Sequence, residues 1–193
     1  MTQIENNREN KSIKPDKSWT LFLDRDGVIN KRLINNYVKN VKEFEFIDGV
    51  LDGFGKLSNI FGKIIIVTNQ QGIGKGLMTG HDLDEIHFYM CNEIKKAGGR
   101  IDKIYYCTDL ANSGSKNRKP AIGMGMKAKK EFPEIEFEKS IMVGDTISDM
   151  IFGKELGMIN VFLSGDNNNN FCMEKEWDLR FKSLKEFADW IIL

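Results

Sequence analysis

The chain has 193 residues, with 28 Lys+Arg balanced by 28 Asp+Glu and a formal net charge of zero, which excludes the broad cationic surface of a general nucleic-acid or anionic-membrane binder. Its cysteines, Cys91, Cys107 and Cys172, are odd in number and form no C-x-x-C pair; they exclude a disulfide framework and fit a reducing compartment. No apolar run approaches membrane-span length and no signal-peptide core opens the chain, so a soluble, cytoplasmic protein is expected.

The length suits one domain with a substantial core. Residues 1–17 are polar and are expected to form a flexible tail, leaving 18–193 as a single domain. Residues 19–23 (W-T-L-F-L) are a short unbroken apolar run, the mark of a strand buried on both faces. The run stops at Asp24-Arg25-Asp26-Gly27. Carboxylates at i and i+2 on a strand's carboxyl end point the same way, at the edge where open α/β sheets hold their ligands. The glycine permits a sharp turn. D-x-D-G is also an ordinary turn. A calcium loop is disfavoured, because no ligand stands at the third position and no glutamate closes the loop.

Residues 31–46 have no helical period and are expected to form an irregular flap or small hairpin near the catalytic end. Apolar Val50, Leu51, Phe54 and Leu57 predict a helix over 48–60, capped by Asp48. Residues 63–68 (K-I-I-I-V-T) predict a second buried strand, ending in Thr68-Asn69-Gln70-Gln71-Gly72. The glycines of 72–76 lack phosphate-loop spacing and are expected to shape a mobile loop that brings Lys75 near the substrate. Residues 81–97 predict a long amphipathic helix closed by Gly98-Gly99; His81 and His87 on it are wrongly spaced to share a metal. A strand at 103–108, a helix at 122–132, a strand at 140–144, a helix at 145–156 carrying Asp145 and Asp149 in its first turn, and a strand at 158–163 follow. A loop through 165–170, an edge strand at 177–181 and a helix at 184–192 complete the chain. This alternation predicts an α/β fold: a doubly wound parallel sheet in three α/β/α layers with right-handed crossovers.

Four groups fall at the carboxyl ends of successive predicted strands: Asp24 with Asp26, Thr68-Asn69, Arg118-Lys119, and Asp145 with Asp149. Each alone is ordinary: a strand-end turn, a solvated basic pair, a helix cap beside a surface acid. In order, D-R-D-G-V-I-N, V-T-N-Q, R-K-P and V-G-D-T-I-S-D resemble the four motifs of the haloacid-dehalogenase-type (HAD) phosphotransferases. The resemblance implies a Rossmann-like HAD core with Asp24 as nucleophile, Asp26 as general acid/base, Lys119 as a fixed positive charge and the Thr68 hydroxyl on the transferring oxygens. It also implies Mg²⁺ held by Asp24, the backbone carbonyl of Asp26 and Asp145, with Asp149 supporting from behind. Asp145 and Asp149, at i and i+4, are expected on one helical face.

The chemistry asks for this set. Phosphate monoester hydrolysis is among the slowest uncatalysed reactions, so a barrier reduction of roughly 20 kcal/mol or more is needed. A carboxylate nucleophile splits the displacement into formation and hydrolysis of an aspartyl phosphate. Cations must offset the repulsion between a dianionic phosphate and those carboxylates.

Within the superfamily, F-E-F-I-D-G-V, T-N-Q-Q-G-I-G-K-G, Y-Y-C, R-K-P and Tyr37-Val38 look most like the D-glycero-D-manno-heptose 1,7-bisphosphate phosphatases and their kin, the histidinol-phosphate phosphatases. The resemblance implies a phosphorylated sugar substrate, cleaved at its 7-phosphate and lined by Asn69, Gln70, Gln71, Arg118 and Thr146. The planar fork of Arg118 is the candidate for a second phosphate. Residues 31–47 and 109–118 are too short for a cap domain, so an open site with no cap domain is expected. The kin carry a structural zinc before R-K-P; here residues 107–117 offer one thiol and no histidine, so no zinc is expected. A histidinol-phosphate phosphatase remains an alternative, as does a non-catalytic phospho-ligand-binding protein of a different class, which has no need of the leaving-group acid Asp26. A polynucleotide-end phosphatase shares the motifs, but neutral charge weighs against nucleic acid. No exposed apolar stripe stands out, and a monomer is expected.

Overall fold

A computed structural model describes residues 13–165 and 176–193. Most of the predicted tail, the predicted loop at 167–170 and Cys172 lie outside the described residues. Strands β1 (Thr20–Leu23), β2 (Lys63–Asn69), β3 (Lys103–Cys107), β4 (Ser140–Gly144), β5 (Ile159–Leu163) and β6 (Leu179–Phe181) form one sheet in the order β3-β2-β1-β4-β5-β6. All pairings are parallel, with Leu23 in register with Ile66 on one side and Val143 on the other. The chain winds outward from β1 to β3 and then returns to the far side of β1. Connections leaving the carboxyl edge in opposite directions open a crevice there.

Every residue of β1 and β4 is buried, which is why both are spelled without alternation. Their side chains divide between two layers. Leu21, Leu23, Ile64, Ile66, Ile141 and Val143 meet α1 (Val50–Ile60), α3 (Gly80–Lys96) and α6 (Leu184–Ile191). Phe22, Ile65, Val67 and Met142 face the other way, onto α4 (Gly123–Glu131) and α5 (Ile147–Glu155). The two-residue period of a strand thus feeds both cores from one apolar run. Phe54 and Phe152, one in each core, are fully buried, and burial of such a side chain contributes about 2 to 3 kcal/mol.

Local chemistry corrects several predicted boundaries. Asp48 does not cap α1; Gly49, at φ 75°, holds that position with no side-chain cap bond. The predicted helix from 145 starts instead at Ile147, because Thr146 and Asp149 form a capping box. Asp145 therefore stands on the strand-to-helix turn, not on a helical face with Asp149. Within the expected loop at 72–76 the chain forms a short helix, α2 (Gln71–Gly74). Gly74 is pressed there against β3's exit, where a Cβ would meet the Thr108 carbonyl at 2.3 Å. Helix α3 closes at Gly98, φ 81°, as its sequence reads, and starts at Gly80 on a Thr79–Asp82 capping box; such a cap is worth about 1 kcal/mol.

Residues 13–17 are laid on the domain: Ile13 packs against the larger core and the Lys17 ammonium donates to the Ser58 carbonyl at 3.0 Å. Among the described residues no domain is inserted after β1. Residues 31–49 instead make a flap, anchored by an antiparallel bridge between Asn30 and Phe46 and stiffened by a 3₁₀ turn at Val41–Glu43. No helix among the described residues is long and apolar enough to cross a membrane.

Candidate active site

The crevice beside β1 collects side chains from four strand exits. The backbone of Asp24 still belongs to the sheet, donating to the Val143 carbonyl at 3.0 Å, so its carboxylate leaves from a fixed base. Gly27 then turns at φ 95°, and a Cβ on it would lie 1.9 Å from Asp145 Oδ2. Only glycine allows both that backbone and that approach.

Lys119 is buried, and its ammonium sits among two carboxylates and a carbonyl. Asp24 Oδ1 lies at 2.9 Å, Asp149 Oδ1 at 2.5 Å and the Val67 carbonyl at 2.6 Å. Asp149 is held in turn by Thr146, whose hydroxyl and backbone amide donate to its Oδ2 at 2.6 and 3.1 Å. The cap of α5 thus fixes the acid that fixes the lysine. Asn69 clasps the same segment, its side chain donating to the Lys119 carbonyl and accepting from the Lys119 amide, both at 3.0 Å.

Asp26 is gripped differently. Arg25 Nη2 donates to both of its oxygens at 3.0 and 2.9 Å, Asn30 to Oδ1 at 2.9 Å and Gln70 to Oδ2 at 2.8 Å. The Gln70 amide also donates to the Thr68 hydroxyl oxygen at 2.9 Å, which leaves that hydroxyl's proton free to donate onward. Arg25 is fully buried, with His87 Nε2 3.4 Å from its Nη1. Arg25's charge and these hydrogen bonds outweigh burial and hold the Asp26 carboxyl below its usual range.

Arg32, from the flap, reaches three oxygens at once. Its Nη2 donates to the Asp26 backbone carbonyl and to Asp145 Oδ1, each at 2.7 Å, and lies 3.6 Å from Asp24 Oδ2. Four carboxylates (Asp24, Asp26, Asp145, Asp149) meet three cations (Arg25, Arg32, Lys119), a net of minus one from 4 − 3. Burial, reinforced by neighbouring acids, pushes Asp24 upward and Asp145 up to about 8, against the pull of Lys119 and Arg32. Lys119 is itself held high, because Asp149 and Asp24 outweigh its burial. A firmly charged lysine beside a carboxyl driven upward means that the acids outnumber their counter-charges. Carboxylate oxygens of Asp24, Asp145 and Asp149 lie within 4.8 Å of one another. Such hard donors with unmet negative charge fit a divalent cation of the magnesium type.

Asp24, Asp26, Arg32, Lys119 and Asp149 border a cavity of about 670 Å³, of a size suited to a small ligand. Thr68, Asn69, Gln70, Gln71, Arg118 and Thr146 all line it. The Gln71 amide and Lys75 ammonium both donate to the Tyr37 hydroxyl at 2.8 Å, and Arg118 donates to the Asp109 carbonyl at 3.2 Å. The amides of Asn69 and Gln70, predicted to line the substrate, are engaged in holding Lys119 and Asp26. Sequence reasoning missed Arg32 and the Arg25–His87 support. Arg25 stood inside the first motif, but nothing local to residues 31–46 distinguished Arg32 from a solvated flap residue.

A sequence model of the family described as polynucleotide kinase 3 phosphatase matches residues 20–183. The chain is 36% identical over 173 residues to a D-glycero-alpha-D-manno-heptose-1,7-bisphosphate 7-phosphatase of Campylobacter jejuni subsp. jejuni serotype O:2, covering 90% of this chain and 95% of that protein. It is 34% identical over 172 residues to a D-glycero-beta-D-manno-heptose-1,7-bisphosphate 7-phosphatase of Helicobacter pylori, covering 89% and 95%. A solved structure of D,D-heptose 1,7-bisphosphate phosphatase from B. bronchiseptica, complexed with magnesium and phosphate, superposes with a TM-score of 0.82 at 23% identity, over 90% of this chain and 98% of that one.

Proposed function

Because the chain belongs to the family described as polynucleotide kinase 3 phosphatase, among the HAD-type phosphatases, we propose that it is a Mg²⁺-dependent sugar phosphatase acting through an aspartyl phosphate, with the 7-phosphate of D-glycero-D-manno-heptose 1,7-bisphosphate as its target. One observation carries the reading. Asp24 meets Lys119 on one oxygen while its other oxygen faces Asp145 across the Arg32 guanidinium, so nucleophile, fixed cation and third acid share one site. The substrate class follows the named relatives, one named for the alpha anomer of this bisphosphate and the other for the beta anomer.

Asp24, the Asp26 backbone carbonyl and Asp145 are the proposed ligands of the ion. Asp149 is proposed to support the site from behind, with Thr146 on one of its oxygens and the Lys119 ammonium beside the other. When bound, the ion supplies charge neutralisation for the phosphoryl oxygens. Asp24 attacks phosphorus and the ester P–O bond breaks, with Lys119 and the Thr68 hydroxyl stabilising the transferring oxygens. The leaving alkoxide takes a proton from Asp26. Arg25, Asn30 and Gln70 favour the Asp26 carboxylate in the free protein; the dianionic phosphate opposes them as it enters and favours uptake of that proton from solvent. Asp26, ionised again, then deprotonates the water that hydrolyses the aspartyl phosphate.

Arg118 is the proposed cation for the second phosphate; if Arg118→Ala leaves the preference for bisphosphate over monophosphate unchanged, that role is wrong. The reading as a whole is tested by kcat/KM with Mg²⁺ on both heptose 1,7-bisphosphate anomers, histidinol phosphate and a 3′-phosphorylated oligonucleotide. A bisphosphate anomer is expected to lead by at least tenfold and Asp24→Asn to abolish phosphate release. A lead for the oligonucleotide or histidinol phosphate overturns the substrate, and turnover by Asp24→Asn overturns the chemistry.

A further inference from the structure

Arg32 stands where the proposed ion's ligands converge. Its Nη2 donates to Asp26 O and Asp145 Oδ1 at 2.7 Å and pairs with Asp24 Oδ2 at 3.6 Å. Those three oxygens are the ones assigned above to the cation. A guanidinium nitrogen bonded to two of them fills the space through which a metal reaches all three, and both species neutralise the same charge.

The flap gives this arginine a fixed root and a way out. Lys31 is pinned by its amide to the Glu45 carbonyl at 2.8 Å, next to the Asn30–Phe46 bridge. After Arg32 the chain turns through Asn35 at φ 56°. The Arg32 side chain is 44% exposed, so it has an open side toward solvent. Arginine also stays protonated at any working pH, so no proton loss releases it from the site.

We propose that Arg32 is an internal counter-cation that competes with the divalent ion for Asp24, the Asp26 carbonyl and Asp145, so that metal entry expels the guanidinium into the cavity. Metal-free protein keeps its acids paired, and metal affinity is weakened by the fraction of molecules with Arg32 seated. The inference rests on the magnesium reading above, and its test reads metal binding without turnover.

Mg²⁺ is titrated calorimetrically into metal-stripped wild-type protein and Arg32→Gln. In parallel, the rate of dicarbonyl modification at Arg32 is followed by peptide mass spectrometry in the wild type, with and without Mg²⁺. The expected result is at least fivefold tighter Mg²⁺ binding in Arg32→Gln, together with faster modification of wild-type Arg32 when Mg²⁺ is present. Equal or weaker binding by Arg32→Gln overturns the inference and leaves the magnesium reading intact. Tighter binding with unchanged Arg32 reactivity also overturns it, since charge removal at a distance then explains the affinity. Should the variant fail to fold, the wild-type modification rate decides alone, and a rate unaffected by Mg²⁺ sinks the proposal. Absence of Mg²⁺ binding in both proteins removes the magnesium reading and this inference together.

Discussion

Replacing Lys119 by methionine removes the cation that two buried carboxylates share. Asp24 and Asp149 sit 2.9 and 2.5 Å from its ammonium, and the Val67 carbonyl at 2.6 Å loses its donor as well. All three residues named by the two ion pairs are less than one-tenth exposed, so water does not repair the loss. Breaking a buried pair by deleting one partner costs about 3 to 5 kcal/mol, and a chain of this length loses roughly 2 to 4 °C of Tm per kcal/mol. Thermal unfolding in EDTA at pH 7.5 should therefore fall by on the order of 10 °C. Part of the loss is relieved as a stranded carboxyl takes up a proton. The folded protein then holds a proton that the unfolded chain releases, so the deficit shrinks as pH is lowered toward 5. Adding Asp149→Asn to Lys119→Met should return about 2 kcal/mol, because the two residues share one interaction. A Tm drop below about 3 °C, or a deficit that grows on acidification, refutes the argument that Lys119 neutralises buried charge.

Three further outcomes follow from the same geometry. Burial and the neighbouring Arg25 push His87 down to about 3, so between pH 6.5 and that value the unfolded chain binds a proton the folded one does not. Stability falls as pH drops, by about 2 kcal/mol at pH 5. His87→Gln keeps an acceptor for Arg25 and should flatten this loss in urea melts, and parallel curves for the two proteins contradict it. Gly27→Ala places a Cβ 1.9 Å from Asp145 Oδ2 at φ 95°, so it should cost about 1 to 3 kcal/mol of strain and weaken Mg²⁺ binding at least tenfold; unchanged titration calorimetry refutes the crowding. Metal analysis of purified protein should find no tightly held zinc, because residues 107–117 supply one thiol and no imidazole; one zinc per chain contradicts that donor count.

Much of this was legible because buried parallel strands leave a plain trace. Residues 21–23, 64–67 and 141–143 are apolar throughout because they face two cores, and motif residues stand at the ends of those strands. What escaped was non-local or decided by a single backbone angle. Asp145 and Asp149 looked like one helical pair until the Thr146 capping box started α5 after Asp145. The glycines at 72 and 74 read as loop formers, yet they lie within α2, where Gly72 packs closely on Met78 and Tyr37 and the Thr108 carbonyl leaves no room for a Cβ at Gly74. His87 lies on the buried face of α3, and its spacing from His81 showed only that the two share no metal; its position beside Arg25 depends on how that helix meets β1. Arg32 shows the limit most clearly. Its partners lie up to 113 residues away in the chain, and no periodicity in a flap records such a distance.

The account turns on Asp24 forming the bond to phosphorus. A single turnover of heptose 1,7-bisphosphate with Mg²⁺, quenched in acid and mapped by peptide mass spectrometry, examines that bond directly. The account predicts one transient phosphoryl group on the peptide carrying Asp24, gone by the end of the turnover. Substrate consumed with that peptide never modified, or with the phosphoryl group on another residue, contradicts it.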